Sequence, residues 1–271
     1  KGRADYDLRW KVALGIEVQE RPFAKSTLQL FRSQLILNEK MRTLFRRSLE
    51  TAKESGYFKP RKLRVILDTS NILGRGAVKD TYNLLADGIR ILMRSLAKAA
   101  DQTIDDWVRG NGYERYLANS IKGEAEVNWD SESERDAFLK GIVWDVERLL
   151  SLSKQVEKEN PEWAEIEAGM ELLNQLIGQD IDRQGEVLKL KEGVAKDRLI
   201  SVQDPEMRHG RKSSSKLFNG HKAAIAVDSE SQLITAVDVL AGNAGDATHA
   251  LELTQESEAN TGMDVEETVG D

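Results

Sequence analysis

Two carboxylates stand at the ends of short apolar runs. Val65-Ile66-Leu67 leads directly into Asp68, and the segment holding Val265 and Val269 leads through Gly270 to Asp271, the last residue of the sequence. A strand buried in a sheet reads as a short β-branched run, and its C-terminal end is where an α/β sheet exposes functional side chains. Two carboxylates on neighbouring strand ends repel unless a divalent cation lies between them, so the pair points to a shared metal site. Taken singly, an Asp after an apolar run is more often a cap or a turn residue.

The chain has no cysteine and only three histidines, which leaves oxygen ligands as the basis of any metal site and favours magnesium or manganese. Other acids compete with this pair. Asp228 reads as a hairpin-turn residue, Asp246 as the cap of a helix over about 247 to 260, and Asp238 as a solvent-facing strand residue. Asp80 and Asp87 read as surface positions of the helix after Asp68, and Glu266 and Glu267 as surface residues near Asp271. His209 and His221 read as ordinary polar residues.

Cations cluster in two places, although the net charge of the 271 residues is −7. Residues 40 to 64 hold nine Lys or Arg against Glu50 and Glu54, and residues 208 to 222 hold Arg208, Arg211, Lys212, Lys216 and Lys222 against no acid. In the second cluster Gly210 and Ser213 to Ser215 supply flexibility. Charge with reach suits contact with a phosphate backbone, which needs no base-reading geometry. The residues alone leave open a second reading, a solvated loop.

Hydrophobic content of 40% with 31% charged residues describes a globular chain able to bury a sizeable core. No apolar stretch approaches the roughly 20 residues of a membrane span, and a cytoplasmic location is expected. Residues 1–59 read as helical, with Ser26 or Thr27 capping a helix that carries Leu28, Phe31, Leu35 and Ile36, and a second run through Met41, Leu44, Phe45 and Leu49. A strand over 63–68 and a helix from about Val78 to Ala99 make up the segment 60–99. The intervening Gly74 and Gly76 do not have the spacing of a phosphate-binding loop, so nucleotide binding there is rejected.

Residues 100–200 read as a mostly helical insert. A capping box, Ser131 with Glu134, starts one helix, and Asn160-Pro161 starts a second that runs to about Gly178. From His221 the pattern alternates through Ala223, Ile225 and Val227, turns at Ser229 to Ser231, and returns through Leu233, Thr235, Val237 and Val239 as a hairpin. A helix and a final strand complete the segment 201–271.

Three stretches, LDTSNILGRGAVKDTYNLL from Leu67, DPEMRHGRKSSSKLFNGHK from Asp204 and HKAAIAVDSESQLITAVDVLAGNAGD from His221, resemble bacterial insertion-sequence transposases of the DDE class, as do VEETVGD at 265–271 and PFAKSTLQLFRSQL at 22–35. The resemblance implies an α+β fold: a helical N-terminal segment, then an incomplete ribonuclease-H-like mixed sheet core interrupted by a large helical insert. It implies Asp68 and Asp271 as catalytic, metal-holding residues, two magnesium or manganese ions in the complete enzyme, and a third acidic ligand that the 271 residues do not contain. With Lys1 at one end and Asp271 at the other, both ends are expected to be cuts in a longer protein, and the chain by itself to be inactive. Expected partners are double-stranded DNA at terminal inverted repeats, target DNA, and further copies of the chain in a synaptic complex, with no membrane. The alternative is a transposase remnant that binds DNA or joins an assembly without cutting.

Overall fold

The computed structural model describes residues 2–58, 61–185, 187–193, 195, 197–213 and 215–270. In chain order the elements are α1 (Gly2–Tyr6), α2 (Leu8–Leu14), α3 (Lys25–Leu37), α4 (Met41–Glu54), β1 (Leu63–Leu73), α5 (Thr81–Ala99) and α6 (Ile104–Asn111). A 3-10 turn (Glu114–Leu117), α7 (Glu132–Ser153), α8 (Trp163–Asp180), β2 (Ile181–Gln184) and β3 (Val187–Leu190) follow. Next come β4 (Arg208–Arg211), β5 (Leu217–Asp228), β6 (Ile234–Ala241), α9 (Ala250–Thr261) and β7 (Val265–Val269). The fold is α+β with a mixed sheet. The chain divides into two compact units, and β1, β5 and β6 each contribute residues to both.

The first unit holds the residues up to Asp68, Ile225–Val237, and those from His249 onward. Its strands lie in the order β6, β5, β1, β7. β7 runs parallel to β1, with Ile66 opposite Val269. Side chains alternate along β1, so Leu63 and Val65 are fully buried while Arg64, Ile66 and Asp68 face outward. α9 covers the sheet through Leu253, Ser257 and Thr261, and the Ser257 hydroxyl lies 2.8 Å from that of Thr235. α4 packs on α9, with the Arg46 side chain donating to Asn260 at 3.2 Å and Lys53 to the Thr261 carbonyl at 3.2 Å.

The N-terminal helices differ from the sequence expectation. α3 begins at Lys25 after Ala24, which supplies no side-chain cap, so Ser26 and Thr27 are inside the helix. The apolar residues of α3 recur at helical spacing, yet none is buried, and Phe31 and Ile36 are exposed. Periodicity marks which residues share a face, but not whether anything covers it.

The second unit holds Thr69–Ala224 and Asp238–Thr248. α5 is its central helix. Asp80 caps it by accepting from the Asn83 amide at 3.1 Å, which sets its start at Thr81 and not Val78. Leu84, Leu85, Ile89 and Leu92 pack against Ile142, Val146 and Leu149 of α7 and Ile166, Leu173 and Leu176 of α8. Each such side chain contributes about 1.5–3 kcal/mol by leaving water. Gly88 and Gly169 allow α5 and α8 a close approach: a Cβ on Gly88 would lie 2.8 Å from Leu173, and one on Gly169 3.1 Å from Leu92.

Half of the expected capping box forms on α7. Ser131 accepts from the Glu134 amide at 3.5 Å, but the Glu134 carboxylate accepts from Asn128 at 2.9 Å and does not turn back to Ser131. The insert is mostly helical and adds a hairpin absent from the sequence expectation, β2 pairing antiparallel with β3 from Ile181 opposite Leu190 to Gln184 opposite Val187. Beneath it the Asp180 carboxylate accepts from Arg198 at 2.7 and 2.8 Å and from the Thr81 hydroxyl at 2.8 Å, tying the end of α8 to the start of α5. Among the described residues no helix is long and apolar enough to cross a membrane.

Candidate functional site

Asp68 lies on the outward face of β1, two residues beyond Ile66. β7 brings the other end of the chain alongside: after the Ile66–Val269 pair, Gly270 lies beside Leu67, where a Cβ would be 3.5 Å from that of Leu67. Asp271, the second expected metal ligand, lies outside the described residues. Among the described residues no group of three His, Cys, Asp or Glu converges as a metal site. Ile66 and Val269 are 43% and 52% exposed, so the sheet face around Asp68 is open and partly apolar.

The basic segment at 208–222 is largely strand. β4 pairs antiparallel with β5, from Arg208 opposite Gly220 to Arg211 opposite Leu217. The turn is closed by the Lys212 amide donating to the Lys216 carbonyl at 2.9 Å and the Lys216 amide donating to the Ser213 hydroxyl at 3.2 Å. Arg211, Lys212 and Lys216 are therefore exposed together at the hairpin tip. Arg208 is only partly exposed and donates to the carbonyls of Pro205 and Met207 at 2.5 and 2.9 Å.

Lys222 belongs to a different environment. Its side chain is 6% exposed, and its ammonium donates to the Ala244 carbonyl at 2.7 Å and to Asp246 at 2.8 Å. The basic run predicts contact with DNA here, but this charge is committed to the half-exposed carboxylate of Asp246. Asp246 is likewise not a helix cap: α9 starts at Ala250, preceded by His249. Hydrogen bonds from Lys222 and from the Thr69 hydroxyl, at 2.8 Å each, outweigh partial burial and hold its carboxyl below the usual range.

Close backbone packing fixes the base of the hairpin. A Cβ on Gly210 would lie 2.2 Å from the Phe218 ring and 2.4 Å from the Gly242 carbonyl, and one on Gly220 would lie 2.1 Å from the Ile72 carbonyl. Gly220 also has φ +151°. Gly210, read from sequence as a source of flexibility, is thus required by contact. The segment before β4 is anchored by Asp204, which accepts from the Arg75 amide at 3.0 Å and lies 3.3 Å from His221 Nε2. The Arg75 bond is the main influence holding the Asp204 carboxyl below its ordinary value, and His221 adds to it against partial burial. His209 pairs across the strands with Asn219 at 2.7 Å.

Two further acids have structural partners. Asp228 at the end of β5 is fully buried and accepts from Arg61 at 2.7 and 2.9 Å, and from the amide and hydroxyl of Ser231 at 2.9 and 2.6 Å. Burial works against its ionisation, but the bonds from Arg61 and Ser231 together prevail and hold its carboxyl below the usual range. Asp87, expected on a helix surface, is nearly buried between Lys79 at 2.6 Å and Arg90 at 2.5 Å. Asp238 is partly buried on β6, and Glu266 and Glu267 are exposed on β7.

Sequence reasoning missed the Asp204 anchor and the Arg61–Asp228 pair. Asp204-Pro205 carried a local turn signal that points to the first, whereas nothing local links residues 61 and 228. Comparison with known proteins gave no match, whether to a family model, a curated protein or a solved structure.

Proposed function

We propose that the chain is part of a DDE-class transposase with a ribonuclease-H-like core, and that its exposed basic hairpin holds DNA. The observation that carries this is the strand order β6, β5, β1, β7 with β7 parallel to β1, which runs the end of β7 beside Leu67, one residue from Asp68. β5 runs opposite to β1, since Ser229 bonds to Arg64 at one end and Gly74 to Asn219 at the other. Three strands joined as neighbours, one helix and a fourth strand parallel to the first make the arrangement that the family resemblance implies.

Asp68 is an exposed hard-oxygen donor suited to magnesium or manganese, and with Asp271 it would hold such an ion. When bound, a metal pair activates the attacking oxygen and stabilises the leaving one in phosphodiester cleavage and strand transfer. The work of the described side chains is binding. Arg211, Lys212 and Lys216 supply three exposed cations at the end of a paired hairpin, an arrangement suited to a phosphate backbone without reading bases. DNA with terminal inverted repeats, target DNA and further copies of the chain are the partners of this activity.

The hairpin by itself favours a second reading, a protein that occupies DNA ends without cutting them. Protein expressed from the complete reading frame, incubated with its flanking inverted repeats and manganese, separates the two. Cleavage that Asp68→Asn abolishes, with DNA binding kept, supports the transposase. Binding without cleavage in the unsubstituted protein supports the second, and cleavage by Asp68→Asn removes Asp68 from the site.

A further inference from the structure

The second unit has an open polar cavity of about 460 Å³ that uses no residue of the basic hairpin. Lys79, Arg90 and Arg94 line it together with one carboxylate, Asp87, and the amide side chains of Asn119 and Gln203. Three cations face one anion, so two positive charges remain uncompensated within it.

Two of the cations, Lys79 and Arg90, are held in place before any ligand arrives. The Lys79 ammonium is 2.6 Å from Asp87, and Arg90 Nη1 is 2.5 Å from the same carboxylate. Arg90 Nε donates to the Tyr116 carbonyl at 2.6 Å and Nη2 to the Ala118 carbonyl, which fixes the plane of the guanidinium. An ammonium has three donors and a guanidinium five, so Lys79 and Arg90 retain N–H groups beyond these bonds. Arg94 follows Arg90 by one helical turn on α5 and is exposed at the rim. Among the described residues it has no ion pair.

We infer that this cavity is a binding site for a phosphate monoester, such as a nucleotide or a 5′-phosphorylated nucleic-acid end. A phosphate dianion matches the surplus of two charges, and guanidinium forks match its oxygens. The amides of Asn119 and Gln203 offer donors and acceptors to the hydroxyls of an attached sugar. Because Asp87 and two backbone carbonyls already orient Lys79 and Arg90, binding has only Arg94 of the three cations left to order.

Calorimetric titration of the 271-residue chain with AMP, adenosine and inorganic phosphate tests this. AMP should bind saturably at one site and adenosine should not. Arg94→Gln, at an exposed position, should weaken AMP about tenfold by removing one charge-assisted contact, and Arg94→Lys should restore most of it. A 5′-phosphorylated duplex that binds more tightly than its unphosphorylated form, with the difference lost in Arg94→Gln, assigns the site to nucleic-acid ends. Equal duplex affinities with saturable AMP assign it to free nucleotides, and inorganic phosphate as tight as AMP assigns it to the anion alone. Absence of saturable AMP binding, adenosine binding as tightly as AMP, or the same AMP affinity in Arg94→Gln would overturn the inference.

Discussion

The ammonium of Lys222 lies inside the second unit, 2.8 Å from the carboxylate of Asp246, and each residue thereby loses the role its sequence context indicates. A cation in a basic run becomes an internal strut, and an acid before a helix becomes its counter-charge. Removing the lysine leaves the Ala244 carbonyl without its ammonium donor and Asp246 with the Thr69 hydroxyl but without its counter-charge. Lys222→Ala should destabilise the chain by about 2 kcal/mol, read from the urea midpoint, since hydrogen bonds to charged groups contribute about 1.5–3 kcal/mol. Unchanged stability would show that the pair contributes nothing.

Arg211, Lys212 and Lys216 at the hairpin tip should govern DNA affinity through salt. Replacing all three by Ala should lower the slope of log K against log salt by up to about 0.9 for each duplex phosphate that is no longer neutralised. Lys222→Ala should leave that slope alone. A slope that falls with Lys222 and not with the tip would place the DNA surface elsewhere.

The buried Arg61–Asp228 pair gives a pH signature with a defined sign. The folded carboxyl of Asp228 titrates below its ordinary value. Its contribution is therefore present above the unfolded pKa of about 3.9 and is lost as pH falls through the folded value. Arg61→Ala leaves the burial without the partner and should cost about 3–5 kcal/mol at neutral pH. In that variant burial is opposed by the Ser231 bonds alone, so the folded carboxyl should titrate higher than in the unsubstituted protein, and the deficit should shrink as pH falls toward and below about 4. Urea unfolding of both proteins across this range reads the difference, and a deficit independent of pH would remove Asp228 as its source.

Gly210→Ala should destabilise the hairpin by about 1–3 kcal/mol, because its Cβ would meet the Phe218 ring and the Gly242 carbonyl and force them apart. Gly178, in α8 with nothing within 4 Å of an added Cβ, provides the contrast. Gly178→Ala should be neutral or stabilise by up to about 1 kcal/mol through helix propensity. Equal thermal shifts in the two variants would refute the close-packing account.

Local pattern determined much of the fold. The run before Asp68, the stripe on α5 and the alternation in β5 each reflect a side-chain period that the sequence displays directly, and the structure forms these elements. Element ends were less visible, because Asp80 caps α5 while Ser26, an equally good candidate, lies inside α3. The β2–β3 hairpin escaped notice because eight strand residues after a long helix have too few positions to display a period.

Roles of individual charged residues were decided by tertiary structure. Lys222 and Lys216 lie in the same basic run, yet one is buried on Asp246 and the other is exposed at a turn. Asp228 is completed by Arg61, 167 positions away in the chain, and Asp87 by Lys79 and Arg90 in a cavity whose other lining includes residues 117–119 and 202–203. Sequence determines which side chains carry charge and which backbone segments form strands or helices, because both follow from residue type and near neighbours. Whether a charge meets water, a counter-ion or a ligand depends on which distant segments pack beside it, and that is set only when the chain has folded.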